Sequence, residues 1–143
     1  MKIKLIDFWH CKAIREAEQV FHPDLPKTPY NGEDAIGSPY YMAPEMITDS
    51  IYDPKCDTWS IGCVLYLMLT NVPPFNGLED SEVIAKIIKG KFQEDTITKN
   101  GHSVEALEFI KKLICPSDER MSAEDAIRDP WLKDQLDIHR QEM

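Results

Sequence analysis

The sequence predicts a mainly α-helical fold, in which helices follow a single N-terminal strand and a long polar loop. Three observations carry this. Apolar residues recur at helical spacing in several segments after Pro44. Strand-like alternation with a period of two is confined to residues 2–6. Between them, residues 9–36 are polar and broken by Pro23, Pro26 and Pro29.

Taken in order, residues 2–6 read Lys-Ile-Lys-Leu-Ile, a strand pattern ending at Asp7. The 9–36 stretch carries the Asn31-Gly32 turn signal and reads as a functional or a disordered loop. A single turn of helix is expected within it at residues 14–20. Asp53-Pro54 is a helix entry, because Asp accepts the free N–H groups of a first turn and Pro lacks the N–H that a first turn leaves unused. Residues 58–69 are apolar on nearly all sides, which predicts a buried central helix stopped at Pro73-Pro74. Val83, Ile84, Ile87 and Ile88 define a half-buried helix over 82–89 that Gly90 ends. Val104, Leu107, Ile110 and Ile114 mark another, capped by Ser103 and stopped by Pro116. Ser122 to Asp125 is a capping-box pattern opening a last short helix that Pro130 limits. From Lys133 the tail is charged and can continue as an exposed helix. The sequence has no internal repeats and no low-complexity segments.

At 143 residues, 43% hydrophobic and 29% charged, the chain has the composition of a soluble globular protein with material for a core. Its 25 acidic and 16 basic residues leave a net charge of −9. That balance argues against a nucleic-acid partner, which calls for clustered Lys and Arg, and leaves room for basic peptides. Cys11, Cys56, Cys63 and Cys115 form no C-x-x-C pair, and Cys63 and Cys115 fall in apolar helical stretches. Reduced, buried thiols are expected. The longest apolar run is too short to span a bilayer, and Met1-Lys2 leads into a strand pattern rather than a signal peptide. The expectation is a soluble cytoplasmic chain with no membrane partner.

Ordered motifs add to this. Asp7-Phe8-Trp9 follows the strand pattern, and Gly37-Ser38-Pro39-Tyr40-Tyr41-Met42-Ala43-Pro44-Glu45 leads into the helical region. Asp57-Thr58-Trp59-Ser60-Ile61-Gly62, Pro73-Pro74-Phe75, Arg120 and Asp129-Pro130-Trp131-Leu132 come after it. In this order they resemble the C-terminal lobe of a Ser/Thr protein kinase, from the DFG-like triplet through A-P-E to the final helix. Residues 52–57 and 122–131 are most similar to calcium/calmodulin-regulated kinases, with the calcium-dependent protein kinases of plants and protists the nearest subgroup. The chain contains no EF-hand pattern.

The resemblance implies a partial protein kinase domain over residues 1–132 and a charged tail over 133–143. Asp7 would hold Mg²⁺, with a plain strand-end Asp as the alternative. Phe8 would pack beneath the site. Ser38 would face the substrate hydroxyl, and Pro39, Tyr40 and Tyr41 would floor the pocket for the residue after the phosphoacceptor. Glu45 and Arg120 would pair and fasten this loop to the helical body. Asp57 would hold the catalytic-loop backbone, or serve simply as a helix-start acid. Thr28, beside Pro29 and Tyr30, lies where regulatory phosphorylation falls. No catalytic base is assigned.

The sequence departs from the family pattern in three places. Trp9 stands where the family has Gly, whose backbone freedom a bulky residue lacks. Leu67 stands where many basic-directed kinases carry Glu, and it cannot bind a substrate Arg. The Gly-rich loop, the V-A-I-K lysine, the αC glutamate and the H-R-D loop do not occur in the sequence. The resemblance therefore implies ATP- and Mg²⁺-dependent phosphoryl transfer to Ser/Thr in an intact protein, and a chain that alone is inactive and takes no cofactor. The expected partners are a protein substrate or the missing N-terminal kinase half. Self-association through an uncovered flank of the 58–69 helix is also expected. The alternative is a non-catalytic, pseudokinase-like binding module using the 37–45 loop and the 82–89 helix.

Overall fold

A computed structural model describes residues 4–8, 20–21, 38–48 and 51–134. The helices are α1 (Pro44–Thr48), α2 (Lys55–Thr70), α3 (Asp80–Lys89), α4 (Asp95–Lys99), α5 (Val104–Leu113) and α6 (Ala123–Arg128). A 3-10 turn, Pro39–Tyr41, precedes α1, and residues 130–134 are again helical. Two short strands, β1 (Val20–Phe21) and β2 (Ile51–Tyr52), pair antiparallel. The mainly α prediction therefore describes the molecule.

Local signals set the helix ends. The Asp53 carboxylate accepts from the Lys55 amide at 2.7 Å and its carbonyl from the Cys56 amide, so α2 is capped from Asp53. Asn71, at φ 59°, closes the other end by donating its N–H to the Leu67 carbonyl. Gly90 does the same for α3 at φ 63°, a conformation open to a residue without Cβ. The Ser103 and Ser122 hydroxyls accept from the Ala106 and Asp125 amides, and Ser122 also donates to the Asp125 carboxylate at 2.6 Å.

The core forms around α2. Trp59, Cys63 and Tyr66 are at most 1% exposed. Trp59 stacks on Phe75 with ring centres 5.5 Å apart, and Phe92 meets Phe75 and Tyr66 edge-on. Val83, Ile84 and Ile87 of α3 and Ala106 and Ile110 of α5 complete it. Gly62 lets α5 approach: a Cβ there would lie 2.9 Å from both Leu113 Cβ and Ile114 Cγ1.

Three expectations need correction, and a fourth is largely untested. Residues 4–6 form no strand, and Leu5 and Ile6 are 84% and 81% exposed, because an alternating pattern becomes a strand only beside a second one. The helical turn expected at 14–20 lies outside the described residues except for Val20, which is in β1. The central helix is not buried all round: Ile61, Val64 and Met68 are 55%, 45% and 75% exposed. Cys115 follows the end of α5 and is only half-buried. Among the described residues, no helix is long and apolar enough to cross a membrane.

Candidate functional site

The firmest part of the site is a guanidinium closed in on every side. Arg120 is 2% exposed. Its Nη1 and Nη2 donate to the two carboxylate oxygens of Glu45 at 2.6 and 3.0 Å. Nη1 also reaches the Lys55 carbonyl at 3.0 Å, while Nε and Nη2 donate to the Cys115 carbonyl. The cation lies 5.0 Å from the Trp59 ring centre. A planar fork with this many fixed donors suits a two-oxygen acceptor, and burial makes each partner necessary to the other. The pair joins α1 to the turn after α5 across 75 residues of sequence.

Arg120 thereby fixes the loop ahead of α1. Pro39 is buried, Tyr40 and Tyr41 are half-buried against the core, and Ser38 is exposed. The Met42 amide donates to the Pro39 carbonyl at 3.1 Å, which closes the 3-10 turn. Ser60 of α2 bridges to it: its hydroxyl is engaged with the Tyr41 carbonyl at 2.8 Å and with its own helix at Cys56. The C-terminal side of the loop is thus tied twice, to the central helix at Tyr41 and to the Arg120 fork at Glu45, with Ser38 left outward. Gly37 and Thr28 lie outside the described residues.

Asp7 and Phe8 are placed differently. Asp7 is exposed at φ 65°, in the left-handed region that Asp tolerates better than most residues. Phe8, expected beneath the site, is 63% exposed. At that exposure it is not packed beneath a site among the described residues. Trp9 lies outside them. Asp57 is exposed in the first turn of α2, with the Cys56 thiol at 3.9 Å as the one partner of its carboxylate among the described residues. No group of three or more His, Cys, Asp or Glu that could hold a metal occurs among the described residues. Mg²⁺ held by one or two carboxylates and substrate phosphates would accept Asp7 as one ligand.

Sequence reasoning missed several supporting groups. Ser60, a hydroxyl inside an apolar helix, was a readable signal, since such a group needs a partner. Lys55 lends its carbonyl to Arg120 and its ammonium to the Ser117 carbonyl, which no sequence pattern announces. Asp129, nearly buried, accepts from Lys112 at 2.8 Å and caps the Trp131 amide, holding Trp131 against Phe109. Burial pushes the Cys56 and Cys63 thiols from an ordinary 9.0 up to about 12, so neither serves as a nucleophile near neutral pH.

Comparison with known proteins places this arrangement. Residues 1–132 match the family described as the protein kinase domain. The chain is 39% identical to calcium-dependent protein kinase 3 of Plasmodium berghei over 132 residues, which is 92% of this chain and 22% of that protein. Calcium-dependent protein kinase 4 of Plasmodium falciparum is 39% identical over 134 residues, 93% of this chain and 23% of the relative. Calcium-dependent protein kinase 6 of Arabidopsis thaliana is 37% identical over 101 residues, 70% and 18% of the two chains. The chain thus spans about a fifth of the length of the curated relatives it matches.

Proposed function

This chain belongs to the protein kinase domain family, and on that premise we propose that it is the substrate-facing, C-terminal part of a Ser/Thr protein kinase that is inactive by itself. In a longer cytoplasmic protein it takes part in moving the γ-phosphate of ATP to a protein Ser or Thr. Residues 1–132 are its share of the kinase domain and 133–143 a charged tail. Its partners are that protein substrate and the N-terminal kinase half.

One observation carries the reading. The C-terminal side of the 38–42 loop is tied to the helical body, by Ser60 at Tyr41 and by the Glu45–Arg120 fork just beyond it, and Ser38 is turned outward. Such a fixed platform positions a peptide without spending its binding on ordering the loop. Asp7 contributes one Mg²⁺ oxygen when the rest of the site is present, Asp57 steadies the catalytic loop, and Thr28 is a place for phosphate-dependent ordering. When bound, Mg²⁺ neutralises the charge developing on the phosphates. The calcium-dependent relatives make calcium control of the longer protein a natural extension of this reading.

Two measurements test it. Mg-ATP leaves the melting temperature of residues 1–143 unchanged; a clear upward shift would mean that the chain binds nucleotide without an N-terminal half. Fused behind the N-terminal kinase half of a calcium-dependent relative, the chain transfers labelled phosphate to a Ser peptide, and Asp7→Asn abolishes transfer. A second reading, a non-catalytic kinase-like module, is favoured by Trp9 in place of Gly. A fusion that stays inactive and gains transfer on Trp9→Gly decides for it.

A further inference from the structure

Past the C-terminal end of α2, the Pro73-Pro74 turn, the last turns of α3 and the segment after Gly90 enclose a notch of about 200 Å³. Lys86 of α3 and Lys91 line it, with Pro73, Pro74 and Phe92 among its walls. These walls are held from behind. The Tyr66 hydroxyl donates to the Gln93 carbonyl at 2.9 Å, and Phe92 meets the Tyr66 and Phe75 rings edge-on. The Lys86 ammonium donates to the Asn76 carbonyl, which anchors it there.

The charge of the notch runs against that of the chain. The net charge is −9, yet the lining carries two lysines and neither Asp nor Glu. By contrast, the cavity between α1 and the turn after α5 is lined by Glu45, Asp53 and Asp118. Nearby carboxylates are engaged elsewhere. Glu82 stands four residues before Lys86, the spacing at which acid and base pair on a helix. Its carboxylate instead accepts from the Leu78 amide at 2.9 Å. Glu94 lies 3.6 Å from Lys111, and Asp95 pairs with Lys99. Among the described residues, neither Lys86 nor Lys91 has a carboxylate partner.

We propose that the notch is a docking seat for a phosphopeptide, a segment of a partner protein whose phosphorylated Ser takes both ammonium groups. Charge selects this occupant. A phosphate monoester carries close to two negative charges and three acceptor oxygens, enough for two lysines at once, whereas a carboxylate carries one charge. Lysine acts as a point charge and sets no orientation by itself. Direction comes from Phe92 and the prolines, on which the residue beside the phosphoserine packs. The volume is below the roughly 300–1,000 Å³ of a small-molecule pocket, which suits one projecting side chain. Its concave form does not match a flat lipid surface. Elsewhere a surface of this net charge repels anions, so the contrast makes the seat selective. The notch shares no lining residue with the 38–48 region, and binding there calls for no phosphoryl transfer. The proposal therefore does not depend on the kinase reading.

Fluorescence anisotropy tests it, with residues 1–143 titrated into a labelled pool of short peptides, each bearing one phosphoserine between randomised flanks. The pool binds, and matched pools with Ser or Glu in place of phosphoserine bind about tenfold more weakly or not at all. Lys86→Gln and Lys91→Gln each weaken binding about tenfold, and Lys91→Arg retains it. Lys89→Gln, on the same helix but outside the lining, leaves binding unchanged. All four variants keep the melting temperature of the parent chain, since these side chains are exposed. A phosphoserine pool that does not bind overturns the proposal, as does an equal response to the Ser or Glu pool. So does a loss on Lys89→Gln as large as on Lys86→Gln, which would mean diffuse attraction rather than a seat. Inorganic phosphate that binds as tightly as the peptides overturns it in favour of a free-anion site. Lysine-dependent binding to phosphatidylserine vesicles in preference to the peptides overturns it in favour of a membrane contact.

Discussion

The two sides of α2 are alike in sequence and opposite in environment. Trp59, Gly62, Cys63 and Tyr66 face inward and are closed off by Phe75, α3, α5 and the Arg120 fork. Ile61, Val64 and Met68, interleaved with them, look onto an open groove. The closed side is fixed by directional contacts, whereas the open side has area and nothing to fix it. Apolar character therefore states that a surface favours being covered, and says nothing of what covers it.

The largest break in this comparison is Arg120→Ala. It leaves the Glu45 carboxylate nearly buried without its partner and frees the Lys55 and Cys115 carbonyls. A loss of about 3–5 kcal/mol is expected, by denaturant titration. Since small domains are stable by only about 5–15 kcal/mol, that is a large share. A loss below about 1 kcal/mol would show that the fork is not what holds α1 to the body. Gly62→Ala comes next. Its new methyl meets Leu113 and Ile114 at 2.9 Å, and a cost of about 1–3 kcal/mol is expected as α2 and α5 are pushed apart. The smallest effect is on the open side. Val64→Gln shifts unfolding by no more than about 0.5 kcal/mol, as for surface changes generally, while reducing dye binding. A loss comparable to that of Gly62→Ala would mean the groove is closed in solution.

Much of this is legible in the sequence alone. Caps at Ser103 and Ser122, the Gly90 stop and the entry at Asp53-Pro54 are local devices whose partners lie within four residues, so pattern alone finds them. The family, and with it the pairing of Glu45 and Arg120, comes from ordered motifs rather than from periodicity. What stays hidden depends on neighbours distant in sequence. Phe8 and the 2–6 pattern are expected to be packed and paired, but residues 4–8 stand exposed. α4 goes unread because a five-residue polar helix with one buried side chain, Ile97, leaves no periodic trace. Ser60 is visible as a hydroxyl in an apolar helix, yet its partner, the Tyr41 carbonyl, lies 19 residues away.

The sequence by itself determined the longer helices and their ends, because hydrogen bonds inside a turn and the spacing of apolar residues act over a few positions, and its ordered motifs determined the kinase relationship. The tertiary structure decided which side of α2 is closed, that Arg120 gathers Glu45, Lys55 and Cys115 around one guanidinium, and that Ser38 is turned outward. Those outcomes rest on contacts between segments up to 75 residues apart, where burial and geometry, not local preference, choose the partner.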